Sequence, residues 1–230
     1  MRVQLAGRLV LFLLTLTADP GLFGDVFGDF EYTARGKTAI IARYTGKGDR
    51  VEIPETINGL PVTAIGDYAF LLSGNLTSVA IPNSVTAIGE GAFSGCLRLT
   101  GITIPKSVAK IGLIVFFGCA NLTNITVDGQ NAAYAGSNGI LFDKQMRTLL
   151  QYPSGKSGSS YTIPRSVVAV GDGAFIECSN LKSVIMPNSV VSVGELAFFG
   201  CVNLKSVSLS RRTAVGPMAF PEGVELLYSD

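Results

Sequence analysis

Four cysteines, Cys96, Cys119, Cys178 and Cys201, are the most reactive side chains in this sequence, and each stands three residues after a phenylalanine. Thiols could pair as disulfides, ligate a soft metal or act as nucleophiles. The nucleophile reading lacks a base, because the chain contains no histidine. The same absence removes Ser-His chemistry and the commonest metal ligand. A second candidate set is Asp67, Glu90, Asp172 and Glu195, each directly after a glycine. Two such carboxylates could approach a hard cation, but the oxygen donors fall short of the roughly six that Ca²⁺ takes. Solvated turn residues are the favoured reading and Ca²⁺ the alternative. Gly46-Lys47-Gly48 and the glycine-lysine stretch at 154–158 lack the strand, spacing and following helix of a phosphate loop. The sequence therefore predicts no catalytic residue, no cofactor and no metal site, and the chain reads as a non-enzyme.

What must position these residues is a repeat. Ile81-Pro82-Asn83-Ser84-Val85, Ile104-Pro105-Lys106-Ser107-Val108, Ile163-Pro164-Arg165-Ser166-Val167 and Met186-Pro187-Asn188-Ser189-Val190 are copies of one pentad, and the period is 23 residues. A phenylalanine ladder follows at Phe70, Phe93, Phe116, Phe175, Phe198 and Phe220, the long step being read as one period plus an insertion of 36 residues. Gly66, Gly89, Gly112, Gly171, Gly194 and Gly216 each precede a ladder phenylalanine by four, which predicts sharp turns with positive φ. Charge sets no direction: 18 Lys and Arg against 17 Asp and Glu give +1, with no footprint for nucleic acid or an anionic membrane. The 47% hydrophobic content is ample for a core.

Leu76-x-x-Val79-x-Ile81, Leu99-x-x-Ile102-x-Ile104, Leu122-x-x-Ile125-x-Val127, Leu181-x-x-Val184-x-Met186 and Leu204-x-x-Val207-x-Leu209 place alternate apolar residues of a short strand inward. One such coil cannot bury its apolar side, and stacked coils can. The whole pattern, running over residues 53–220, resembles the BspA-like leucine-rich repeats of bacterial surface proteins. That resemblance implies a right-handed solenoid that binds other macromolecules, with adhesion to host matrix or cells the expected role and no catalytic residues to carry over. The expected fold is a leucine-rich-repeat solenoid with a parallel sheet on its concave face, extended or 3₁₀ segments on its convex side and no long helices. Equivalent cysteines on neighbouring coils sit near the coil spacing, which favours buried thiols; a bridge within Cys96/Cys119 or Cys178/Cys201 is the alternative.

Arg2 and Arg8 before the apolar run 9–16 read as a signal peptide over 1–18, hence an exported, periplasmic, secreted or cell-surface protein. No stretch is long enough for a membrane-spanning helix. A β-hairpin within 27–52 is expected to cap the first coil, and 53–230 to form the solenoid. The segment 127–162 is expected to hold a second hairpin followed by a Ser/Gly loop, serving either recognition or as a variant coil.

Two surfaces are candidates for binding. Ser78, Ala80, Gly101, Thr103, Asn124, Thr126, Ser183, Ile185, Ser206 and Ser208 should face outward on the concave strands, small and uncharged. Leu113 and Ile114 replace the polar turn residues of other coils, and with Phe117, Ile176 and Phe199 they predict an apolar strip on the convex side. Such a strip needs a cover: the insertion, a second copy of the chain or an external partner. The expected partners are proteins, host extracellular matrix among them, with a homo-oligomer at the strip. The rival expectation is a carrier or sensor of an apolar small molecule held in a solenoid groove.

Overall fold

The computed structural model describes residues 24–229, so the signal segment expected at 1–18 lies outside the described residues. The chain forms a β-solenoid of about eight coils. Each 23-residue offset becomes a pairing register: Gly101 sits beside Asn124 and Ile104 beside Val127 in one parallel pair of strands, Gly101–Ile104 and Asn124–Val127. Later in the chain, Ser160–Thr162, Ser183–Ile185, Ser206–Leu209 and Glu225–Tyr228 form a four-stranded parallel sheet. Alternation sends Val79, Ile102, Ile125, Val184 and Val207 inward, all buried. The return path carries two-residue strands and i→i−3 turn bonds such as Val85 N to Pro82 O; no helix occurs among the described residues.

The ladder rings stack along the axis. Centroids lie 5.2 Å apart for Tyr44 and Phe70, 5.0 Å for Phe70 and Phe93, and 6.0 Å for Phe93 and Phe116. A second run joins Tyr152 to Phe175 at 5.2 Å, Phe175 to Phe198 at 4.6 Å and Phe198 to Phe220 at 5.2 Å. The core is divided accordingly, one buried cluster running from Phe30 to Leu141 and the other from Ile140 to Ala219. The strand Ile140–Asp143 is the wall between them: Leu141 packs into the first core, Ile140 and Phe142 into the second. Period-two alternation lets one strand serve both.

Both runs begin at an antiparallel hairpin. Phe30–Arg35 pairs with Thr38–Tyr44, and Thr38–Tyr44 then pairs in parallel with Leu60–Ile65. Tyr134–Ser137, Ile140–Asp143 and Thr148–Gln151 form an antiparallel meander whose last strand pairs in parallel with Ala169–Val170. The turn between the first two strands of this meander is Asn138-Gly139, with φ of 52° and 77°, a geometry that Asn-Gly supplies at least cost.

The turn glycines correct one expectation. Positive φ falls two residues further on, at Tyr68, Gly91, Ile114, Gly173, Leu196 and Met218. Gly89 and Gly194 are needed for another reason: a Cβ there would stand 2.5 Å from the backbone nitrogen of Asp67 and of Asp172 on the preceding coil. Close backbone approach between coils, rather than turn geometry, selects glycine.

Candidate interaction surfaces

The side chains that could do chemistry are committed to stacking the coils. All four cysteines are buried and unbridged. The thiols of Cys96, Cys119 and Cys201 donate to the carbonyl of the ladder phenylalanine one coil earlier, at 3.2, 3.1 and 2.9 Å to Phe70, Phe93 and Phe175. Cys178 points in the same way at the Tyr152 carbonyl. Burial pushes the Cys96 thiol up to about 12, and raises Cys119 and Cys178 as well, so none of these three supplies a thiolate near neutral pH. Asp67 and Asp172 each accept the backbone N–H of the next acidic residue, Glu90 at 2.7 Å and Glu195 at 2.8 Å. Asp67 and Asp172 are exposed turn residues, as expected, but Glu90 accepts the Tyr68 hydroxyl and Glu195 is buried, so the acidic row also serves as rungs between coils. Among the described residues no cluster of three or more His, Cys, Asp or Glu could hold a metal ion.

On the strand face, Ser78, Ala80, Thr103, Asn124, Thr126 and Ile185 are exposed, while Gly101, Ser183, Ser206 and Ser208 are half-buried. Two rows emerge from the registers, one through Gly101 and Asn124 and one through Thr103 and Thr126. Past residue 127 the rows are interrupted. The N–H of Ile125 donates to Gly139 O at 2.9 Å, so the insertion, not another repeat strand, covers that edge. The rows resume at Ser160, whose hydroxyl accepts from Ser183 at 2.9 Å.

The apolar strip is not the open surface that alternation predicted. Ile114 and Ile176 are buried and form a separate cluster with Leu196, with Phe117 and Phe199 packed partly buried against them; only Leu113 stays exposed, at 37%. The reason is local. This stretch is a chain of turns rather than a strand, so in-out alternation does not hold, and the residues pack sideways from coil to coil. The strip bridges the insertion point, since Ile114 lies before it and Ile176 after it. No insertion side chain belongs to the cluster, so the strip covers itself.

Several positioning residues had no part in the sequence argument. Tyr152 lies 23 residues before Phe175, on the period, and the break in the ladder therefore falls between Phe116 and Tyr152. Asn131 is fully buried at the base of the insertion, donating to Pro105 O at 2.7 Å and Val108 O at 2.9 Å and accepting from Ala133 N and Tyr134 N. The Tyr134 hydroxyl accepts the Ile111 N–H. Glu177, in the left-handed region at φ 56°, accepts the Gly118 N–H at 2.7 Å. On the other side of this joint a recess of about 290 Å³ opens between residues 111–116 and the group Tyr134, Leu141, Leu150, Gln151 and Asp172.

Comparison with known proteins agrees with this geometry. No curated protein sequence matches the chain. A leucine-rich repeat protein of T. pallidum, TpLRR, is similar in structure and sequence: 29% identity, 88% of this chain and 85% of that one covered, TM-score 0.55. The pneumococcal vaccine antigen PcpA shares the fold at 16% identity, with 90% of this chain and 94% of that one covered and a TM-score of 0.53. The profile described as "BspA type Leucine rich repeat region" matches six copies, over residues 50–142 and 154–226. With the repeat, the ladder and this match together, the chain belongs to the BspA-type leucine-rich repeat family.

Proposed function

We propose that this chain is an exported, non-enzymatic interaction module that holds a protein partner, host matrix or cell-surface protein, against its strand face. One observation carries the reading: the thiols, the aspartates and a buried asparagine are spent on coil-to-coil hydrogen bonds, which leaves the small, uncharged strand rows as the repeated surface. Membership in a family of repeat proteins supports a binding role, since stacked repeats present extended surfaces. The basic and apolar N-terminal sequence supports export. A homo-oligomeric contact has more support at the C-terminal end of the described coils than at the strip, since Val202, Val215, Met218 and Leu227 are exposed there between 45% and 77%.

The test is binding of the chain to purified matrix proteins, repeated with Thr103→Arg and Thr126→Arg on the strand face. Loss of at least tenfold in affinity, with unchanged thermal stability, supports the reading. Binding to no matrix or cell-surface protein, or binding indifferent to both arginines, contradicts it.

A further inference from the structure

Coil-to-coil bonding on the ladder side follows a rule. The N–H two residues before each ladder phenylalanine and the N–H of the phenylalanine itself donate to carbonyls of the next coil. Gly91 donates to Leu113 O at 2.9 Å and Phe93 to Val115 O at 3.0 Å; Gly173 donates to Glu195 O at 3.0 Å and Phe175 to Ala197 O at 2.7 Å. In the coil that ends the first run, the equivalent donors are Ile114 and Phe116. Neither N–H has a hydrogen-bond partner among the described residues. On other coils the N–H two residues after the phenylalanine also donates to the next coil, Gly95 to Phe117 O and Glu177 to Phe199 O; here its equivalent, Gly118, is satisfied by the Glu177 carboxylate instead of a backbone carbonyl.

Ile114 and Phe116 are buried, and both line the recess beneath the insertion. A buried, unpaired N–H is costly, and native structures leave very few. Two donors at i and i+2, met on the other coils by carbonyls two residues apart in the next coil, can be met in the same way by two carbonyls of a bound peptide. The remaining lining narrows the ligand. Leu113, Leu141 and Leu150 are apolar, Asp172 is the one charged lining residue, and no lysine or arginine is present there. An anionic ligand would meet that carboxylate without a counter-charge, whereas an α-ammonium group would be attracted. At about 290 Å³ the recess is at the small end for ligand sites, which suits one end of a chain rather than a large cofactor.

We propose that this recess receives the free N-terminus of an extended, apolar peptide, whose carbonyls accept from the Ile114 and Phe116 N–H groups and whose ammonium faces Asp172. The inference rests on the interaction-module reading and locates a peptide subsite within it. A random octapeptide library displayed with free N-termini, panned on the full chain, tests it. Enriched sequences should be apolar in their first residues, and a synthesised winner should move the ¹⁵N–¹H resonances of Ile114 and Phe116. Leu150→Trp, which fills the recess from its far wall, should weaken that peptide at least tenfold. Asp172→Asn, which keeps the oxygen that accepts from Glu195, should weaken the free-amine peptide and leave its N-acetylated form unchanged. No enrichment, equal binding to Leu150→Trp, or decanoate displacing the peptide through the same two resonances would overturn the proposal. The two readings fail separately: peptide binding indifferent to Leu150→Trp removes the subsite and leaves matrix binding on the strand face untouched, whereas matrix binding absent from wild type sinks the module reading itself.

Discussion

Residues 30–54 and residues 140–164 build the same local structure from almost unrelated sequences. In each, a hairpin strand delivers a tyrosine to the head of a ring stack, Tyr44 against Phe70 and Tyr152 against Phe175. Each tyrosine N–H donates to the alanine carbonyl one residue before that phenylalanine, at 2.7 Å in both. A glycine-lysine loop follows, then a short strand, Arg50–Glu52 or Ser160–Thr162, then Ile53-Pro54 or Ile163-Pro164. The difference lies in what stands before the hairpin. The first has no coil before it among the described residues; the second has a completed run of coils behind it and must join to it. An insertion into a repeat array is here a second start, and its cost is a joint that on the ladder side is made by side chains where other coils use backbone bonds. Asn131, Tyr134, Glu177 and the Ile114–Ile176–Leu196 cluster are that joint.

If the two runs are equivalent stacks, their ladders should respond alike. Phe93→Ala and Phe175→Ala should each lose about 3–5 kcal/mol in urea unfolding, because each ring is wholly buried between two others. Phe220→Ala, at the half-buried end of the stack, should lose clearly less. Equal losses at all three positions would mean that burial between neighbours is not what the ladder provides.

The joint is where the comparison should break down. Asn131→Ala strands two carbonyls and two N–H groups inside the insertion base and should cost about 2–3 kcal/mol. A change below about 0.5 kcal/mol, the scale of surface substitutions, would remove Asn131 from the joint. Glu177 gives a smaller, pH-dependent effect. Burial raises its carboxyl above the ordinary 4.5, with the Gly118 N–H opposing. The folded state then binds the proton more tightly than the unfolded one. The group's stabilisation is complete below pH 4.5 and is lost as pH rises through the raised value. Thermal melts between pH 4 and 7 should show a decline that Glu177→Gln removes; an unchanged slope in that variant would contradict it. Smallest of all, native protein at pH 8 should take up no alkylating agent, while unfolded protein takes up four equivalents, one for each buried thiol.

Most of the solenoid was legible because a repeat converts spacing into register. The pentads and the ladder fixed which residues stack, and strand pairing follows the same offset. Four things were not legible, each for a physical reason. The strip residues Ile114 and Ile176 were assigned outward by strand alternation in a segment that is all turns. The turn glycines were read as a dihedral requirement, when the constraint is the backbone of the coil below, which no single copy contains. Tyr152 stands one full repeat before Phe175, but a tyrosine in place of phenylalanine hides it from the ladder pattern. The recess has no sequence signature, since it arises from bonds that the insertion prevents.

The measurement that bears most directly on the second-start account is amide hydrogen exchange at equivalent positions along the ladder, in native full-length chain. Phe93 and Phe175 donate to the next coil and should be protected to near the global stability, whereas Phe116, and Ile114 beside it, should exchange at least a hundredfold faster. Protection of Phe116 equal to that of Phe93 and Phe175 would mean that the backbone ladder runs unbroken through the insertion, and the account of two runs joined on the ladder side by side chains would be wrong.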